Sequence, residues 1–206
     1  MTVIVDYGVG NLFSLSCSLA AIGEESVVTK DAAVIEVADR VILPGVGAFS
    51  DAMEKLRASG LIAVLRRVAE RGVPLLGICL GMQLLFDRSF EYGEHQGLGF
   101  IKGDVAPIPA KEGLKIPHMG WNALSFGEKK HPLFEDLAEG DHVYFVHSYA
   151  AVRCDEAVIA RTEYGAPVTA AVAKGSVLGC QFHPEKSGEV GLRILRAFCR
   201  MKEGEL

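Results

Sequence analysis

The chain has 206 residues, half of them hydrophobic, which suffices to bury a core of normal density and suits a single domain spanning 1–206. Twenty-six acidic residues stand against 21 basic ones, and no Lys/Arg-rich run supplies the electrostatic footprint of a nucleic-acid binder. No basic segment precedes the short apolar start, and no stretch reaches the roughly 20 apolar residues that span a bilayer, so a soluble, cytoplasmic protein with no membrane partner is expected.

Thr2 to Val5 is an apolar strand closed by the turn Asp6-Tyr7-Gly8-Val9-Gly10, and Asn11 is placed to cap the helix that follows. Short strands are expected around Ser26 to Val28 and at Arg40 to Leu43, the second breaking at Pro44-Gly45-Val46-Gly47 before a helix begun by Ser50 or Asp51. Leu61, Ile62, Leu65, Val68 and Ala69 recur at helical spacing up to Gly72, and Val73 to Ile78 is an apolar run of the kind buried on both faces. From about Phe90 the texture changes, and Gly93, Gly97, Gly99, Gly103, Pro107, Pro109, Gly113 and Pro117 punctuate short strand-like pieces of a mostly antiparallel section. His142 to Val146, Val168 to Val172 and Ser176 to Phe182 read as strands, and Glu189 to Met201 as an amphipathic helix with Leu192, Leu195 and Phe198 on one side. The expected class is α/β: an open, mainly parallel sheet flanked by helices, with a smaller antiparallel section.

The cysteines, Cys17, Cys79, Cys154, Cys180 and Cys199, are odd in number and include no C-x-x-C pair, which argues against a disulfide framework or a structural zinc site. Cys17 and Cys199 fall in helical patterns and read as core filler. Cys79 differs. Gly77-Ile78-Cys79-Leu80-Gly81 follows the buried strand and precedes the helical run Met82 to Phe86, the nucleophile-elbow pattern with cysteine in the serine position. A turn this tight strains its central residue and lifts that side chain above the sheet, so it needs small neighbours two positions away, and Gly77 and Gly81 supply them. The helix beginning at Leu80 also aims its positive end at the sulfur and leaves the Leu80 amide as a donor to an oxyanion. The alternative is a cysteine that merely fills the end of a core strand. Gly77 speaks against that, since a core strand gains nothing from glycine.

A thiol nucleophile requires a base, and the histidines are His95, His118, His131, His142, His147 and His183. His183 is the best placed. It ends a strand just before Pro184-Glu185, and in an extended stretch His183 and Glu185 project the same way. A carboxylate beside an imidazole selects its tautomer and stabilises the imidazolium, although a histidine at a strand end also serves purely structural roles. Gly8-Val9-Gly10 lacks the third glycine of a dinucleotide-binding turn, because Phe13 occupies that place.

Six segments carry a likeness over nearly the whole chain: Asp6-Tyr7-Gly8-Val9-Gly10-Asn11, Leu43-Pro44-Gly45-Val46-Gly47-Ala48-Phe49, Gly77-Ile78-Cys79-Leu80-Gly81-Met82-Gln83, Pro117-His118-Met119-Gly120-Trp121-Asn122, His147-Ser148-Tyr149 and Phe182-His183-Pro184-Glu185-Lys186-Ser187. On them the chain resembles class I, triad-type glutamine amidotransferases, most closely the branch formed by the glutaminase subunits of imidazole glycerol phosphate synthases. The resemblance implies the flavodoxin-like fold of that class and a reaction in which Cys79 attacks the glutamine side-chain amide, His183 shuttles the proton and Glu185 orients His183. Ammonia leaves first, and a thioester is then hydrolysed to glutamate. The resemblance further implies an oxyanion hole from Leu80 together with Val46 and Gly47, and glutamine-binding positions at Gly45, Gln83, His147, Ser148 and Tyr149. Asn11, Trp121, Asn122 and Lys186 match a docking surface for a (β/α)₈-barrel cyclase subunit in a heterodimer. No cofactor and no metal ion is implied.

Plainer readings stand beside these: Pro44 to Gly47 as an ordinary turn, Ser148 and Tyr149 as strand-end residues, Trp121 as buried core and Lys186 as a solvated charge. Ala150 and Gly188 depart from the family pattern at the pocket edge. Competing functions are a glutaminase serving another synthase, such as those making anthranilate, pyridoxal phosphate or purine precursors, an independent cysteine hydrolase, and a non-catalytic subunit of the same fold. The last would typically lack the cysteine or the histidine present here. Glycine at position 45 lets the Gly45–Val46 peptide turn its N–H away from the site at rest and toward it on activation, so a subunit slow by itself and quickened by its partner is expected.

Overall fold

A computed structural model of the chain describes residues 1–109, 113–127 and 129–204. Its first half alternates strand and helix: β1 (Thr2–Val5), α1 (Leu12–Ala21), β2 (Ser26–Thr29), α2 (Ala32–Glu36), β3 (Arg40–Leu43), α3 (Phe49–Ala58), α4 (Leu61–Glu70), β4 (Leu75–Ile78) and α5 (Leu80–Leu84). The second half is rich in strands: β5 (Phe86–Ser89), β6 (His95–Gln96), β7 (Ile101–Pro107), β8 (His118–Ala123), β9 (Ser125–Phe126), β10 (His142–His147), β11 (Tyr149–Val152), β12 (Val158–Glu163), β13 (Pro167–Lys174) and β14 (Val177–Cys180), closed by α6 (Gly188–Arg200).

The large sheet has the order β2-β1-β3-β4-β14-β13-β12-β9, parallel from β2 to β14 and antiparallel beyond. Its parallel strands are apolar at successive positions because both faces are covered, and the two-residue pleat divides them between two cores. Val3, Val5, Val41, Leu43 and Leu75 face α3 and α4, whereas Ile4, Ile42, Leu76, Ile78 and Leu178 face α1 and α6. Two smaller sheets sit beside it. One is the antiparallel pair β10-β8, the other the order β11-β7-β5-β6, in which β5 and β7 run parallel. This is the expected mainly parallel α/β architecture with a lesser antiparallel section. Among the described residues no helix is long and apolar enough to cross a membrane.

Several local expectations are corrected. α2 was not anticipated, since its five residues are too few to display a period, and Asp31 caps it through the Ala33 N–H at 2.8 Å. α3 starts at Phe49, ahead of Ser50 and Asp51, because the Glu91 carboxylate accepts from the Phe49 N–H at 2.5 Å where Ala48 has no side chain to cap. α5 stops at Leu84, so Phe86 opens a strand instead of ending a helix. The strand expected over Ser176 to Phe182 is confined to Val177–Cys180. The buried side of α6 comprises Gly191, Ile194, Leu195, Ala197 and Phe198, with Leu192 only half-buried. Cys17 is exposed: the buried stripe of α1 is Leu15 and Leu19, and a residue midway between them points the other way.

Candidate active site

The turn from β4 to α5 puts Cys79 at φ +55°, ψ −110°, a strained conformation for a residue with a side chain. The backbones around it touch without side chains between them. A Cβ on Gly77 would lie 2.7 Å from the Gly81 carbonyl oxygen, one on Gly81 would lie 1.9 Å from the Leu43 carbonyl oxygen, and one on Gly45 would lie 2.7 Å from the Gly81 nitrogen. The elbow and the Pro44–Gly47 loop are thus pressed together, and the buried Tyr7 hydroxyl fastens the loop by donating to the Pro44 carbonyl at 2.8 Å. Burial, with the Cys79 charge nearby, pushes the Tyr7 phenol far up, so it stays protonated and keeps that bond.

The Cys79 sulfur acts on the His183 ring closely enough to raise its proton affinity, and His183 Nδ1 meets Glu185 Oε1 at 2.8 Å. The pairing does not arise from an extended stretch. The chain leaves the sheet after Cys180 and turns through a single 3₁₀ turn, Pro184–Lys186, which brings Glu185 back under the ring. The His183 N–H donates to the Tyr144 carbonyl at 3.0 Å, and the buried Ser187 hydroxyl donates to the His183 carbonyl at 2.6 Å while accepting from the Tyr144 N–H at 3.0 Å. Burial pulls the imidazole down, but Cys79 and Glu185 outweigh it and raise His183 to about 9. With Nδ1 committed to the carboxylate, Nε2 is the nitrogen left for the sulfur.

The pair opens into a cleft of about 450 Å³. A second cleft of about 440 Å³ contains Cys154, but no described histidine lines it. A nucleophile-base-carboxylate row in an accessible cleft is equipment for acyl transfer. The model of the family "Glutamine amidotransferase class-I" matches residues 3–201. The chain belongs to that family. It is 51% identical over 204 residues to the imidazole glycerol phosphate synthase subunit HisH of Aquifex aeolicus, covering 98% of this chain and 97% of the relative. It is 50% identical over 197 residues to the same-named subunit of Lactococcus lactis, covering 95% and 96%. Two solved structures share the fold: a glutamine amidotransferase crystal structure at TM-score 0.73 and 23% identity, covering 95% of this chain and 96% of that one, and the PurLQS structure from Thermotoga maritima at TM-score 0.72 and 21% identity, covering 96% of each.

In this amidotransferase Cys79, His183, Leu80, Val46, Gly47, Gln83, His147, Ser148, Tyr149 and Lys186 all line the one cleft. Glu185 lies behind His183, and Gly45 lies one layer back, where it shares a small cavity with Asn11, His183 and Glu185. Glu91 and Tyr92 form part of the cleft wall, and Gln181 stands under the sulfur with its Nε2 at 3.7 Å; the sequence reading singled out none of the three. Glu91 and Tyr92 lie in the stretch without periodicity, and Gln181 offers no signal beyond the strand it follows.

Trp121 is 53% exposed on β8 rather than buried in the core, and it stands edge-on to Tyr144 at 6.0 Å, with the Lys186 ammonium 5.9 Å from the same ring. Asn11 accepts from the Ser14 N–H at 3.4 Å and so caps α1. Asn122 is half-buried and starts a row that runs inward through the buried His118 and His147: its Nδ2 donates to the Glu163 carbonyl at 3.1 Å, its Oδ1 meets His118 Nε2 at 2.8 Å, His118 Nδ1 meets His147 Nε2 at 2.9 Å, and His147 Nδ1 meets the Tyr149 carbonyl at 2.8 Å. Burial lowers His118, and burial with the neighbouring His118 and His183 brings His147 down to about 4 against the raising effect of the Tyr149 carbonyl.

Proposed function

We propose that this chain is the glutaminase subunit of an imidazole glycerol phosphate synthase, hydrolysing glutamine to glutamate and passing ammonia to a cyclase subunit in histidine biosynthesis. The observation that carries the reading is the Cys79–His183–Glu185 row, closed by the 2.8 Å His183–Glu185 bond, in a chain about half identical over nearly its full length to HisH subunits. The Cys79 thiol gives its proton to His183 Nε2, forming a thiolate–imidazolium pair, and the sulfur of that pair attacks the side-chain amide carbon of glutamine. The oxyanion is held by the Leu80 amide at the start of α5 and by an amide from Val46 or Gly47. His183 returns the proton to the departing nitrogen as the C–N bond breaks, and ammonia leaves a thioester on Cys79. Water then gives a proton to His183 and attacks that carbon, the C–S bond breaks, and glutamate departs. Glu185 stabilises the imidazolium formed in each half.

Gly45, Gln83, His147, Ser148 and Tyr149 frame the glutamine position, and residues 1–206 work as one amidotransferase domain in the cytoplasm, with no nucleic acid or membrane partner. The partner is a (β/α)₈-barrel cyclase, docked over Trp121, Asn122, Lys186 and Asn11. The test is release of glutamate from glutamine by the purified chain with and without that cyclase and its nucleotide ligand. We expect slow turnover without the partner and acceleration in the complex. Full activity without a partner, or acceleration by a different ammonia-using synthase, would overturn the assignment.

A further inference from the structure

Gln181 follows β14 and is fully buried, and its main-chain N–H is spent on the Ala170 carbonyl at 2.8 Å, so its side-chain amide must find partners inside the protein. The two ends of an amide differ in role, one donating and one accepting, and here the direction is fixed from outside. The Tyr149 main-chain carbonyl only accepts. It lies 3.1 Å from one end of the Gln83 amide, so that end is the nitrogen. The same nitrogen stands 2.9 Å from Gln181, which therefore presents its oxygen there. The NH₂ of Gln181 is thereby turned to the Cys79 sulfur, 3.7 Å away.

An N–H aimed at sulfur does little for a neutral thiol, which accepts poorly, and much more for an anion. We propose that Gln181 is a further catalytic residue, which stabilises the Cys79 thiolate by an N–H hydrogen bond, and that Gln83 is the positioning residue that aims it. The inference rests on reading Cys79 as the nucleophile. The bond acts when the sulfur gives its proton to His183 and attacks the amide carbon, and again when the thioester C–S bond breaks and the electron pair returns to sulfur. Gln83 spends its nitrogen on Tyr149 and Gln181, so its Oε1 is the atom it offers to a ligand in the cleft.

The experiment is alkylation of Cys79 in the full chain by iodoacetamide, followed site by site with mass spectrometry from pH 5 to 10. The titratable groups near the sulfur are His183, Tyr7 and Cys180, with Glu185 and His147 behind the imidazole and Glu91, Tyr92, Tyr149 and Lys186 around the cleft, and all remain in the variants. Gln181→Met keeps the length and removes the donor, so the midpoint of the rate profile should move up by about one pH unit, with roughly tenfold slower alkylation below it. Turnover of glutamine should fall more than KM changes. Gln83→Met, which frees the Gln181 amide to turn, should move the midpoint the same way by less. If Gln181→Met does not fold, Gln181→Leu carries the test, since it removes the donor without adding a charge or a new titratable group. An unmoved midpoint in either folded Gln181 variant overturns the proposal even where wild-type protein hydrolyses glutamine. Glutamine hydrolysis surviving in Cys79→Ala would instead overturn the reading beneath it.

Discussion

His183 holds its proton against burial only because Cys79 and Glu185 stand on either side, which lifts it to about 9 from an unfolded value near 6.5. The folded state thus binds this proton where the unfolded chain does not. The stabilisation is fully present below about pH 6.5 and is lost as pH rises through about 9, a change on the order of 3 kcal/mol. Urea unfolding of wild type and His183→Gln should show the difference between them shrinking over that window; a difference independent of pH would contradict the pairing. Cys79→Ser should abolish glutamine hydrolysis while the chain still folds, because the hydroxyl nearly matches the buried thiol in size and lacks its nucleophilicity. Retained hydrolysis, or a glutamine-site affinity label found on Cys17, Cys154, Cys180 or Cys199, would remove Cys79 from the mechanism. Cys79 and His183 were legible because each sits among neighbours in sequence that serve it, Gly77 and Gly81 in one case and Pro184 and Glu185 in the other. Gln181 was not legible, since its orienting partner Gln83 is 98 positions away.

At the scale of elements, the site hangs on close approaches that only glycine permits. A Cβ on Gly191, one turn into α6, would lie 1.9 Å from the Pro184 carbonyl oxygen, so α6 packs directly on the turn that carries Glu185. Gly191→Ala should therefore force α6 and that turn apart, costing roughly 1–3 kcal/mol, and should lower glutaminase turnover although it touches no reacting group. The check is the melting temperature together with the rate at saturating glutamine. A loss of stability with undiminished turnover would show the turn to be indifferent to α6. The parallel strands were legible because covering on both faces makes them continuously apolar. The 3₁₀ turn at Pro184–Lys186 and the start of α3 were not, because the first hides within an apparently extended motif and the second depends on a carboxylate, Glu91, from a different hairpin.

At the scale of the molecule, Trp121, Tyr144 and Lys186 form one exposed patch that runs to the rim of the cleft, through Lys186. Trp121→Ala should leave the unfolding transition nearly unchanged, as the side chain is half in solvent, and should weaken binding of the proposed cyclase partner by roughly 2 kcal/mol, about 30-fold in Kd. Titration calorimetry decides this, and equal affinities would take Trp121 out of the docking surface. From the same strand runs the row of Asn122 and the buried His118 and His147, which ties the edge of the large sheet at Glu163 through β8 and β10 to β11 at Tyr149. Both ends of the row are carbonyls, which only accept, so its four hydrogen bonds need four hydrogens. The Asn122 amide brings one, and the two rings must bring three. Two neutral imidazoles own two. Uncharged, the row is one hydrogen short; complete, it carries a buried positive charge between three sheets, and no arrangement of its members is both.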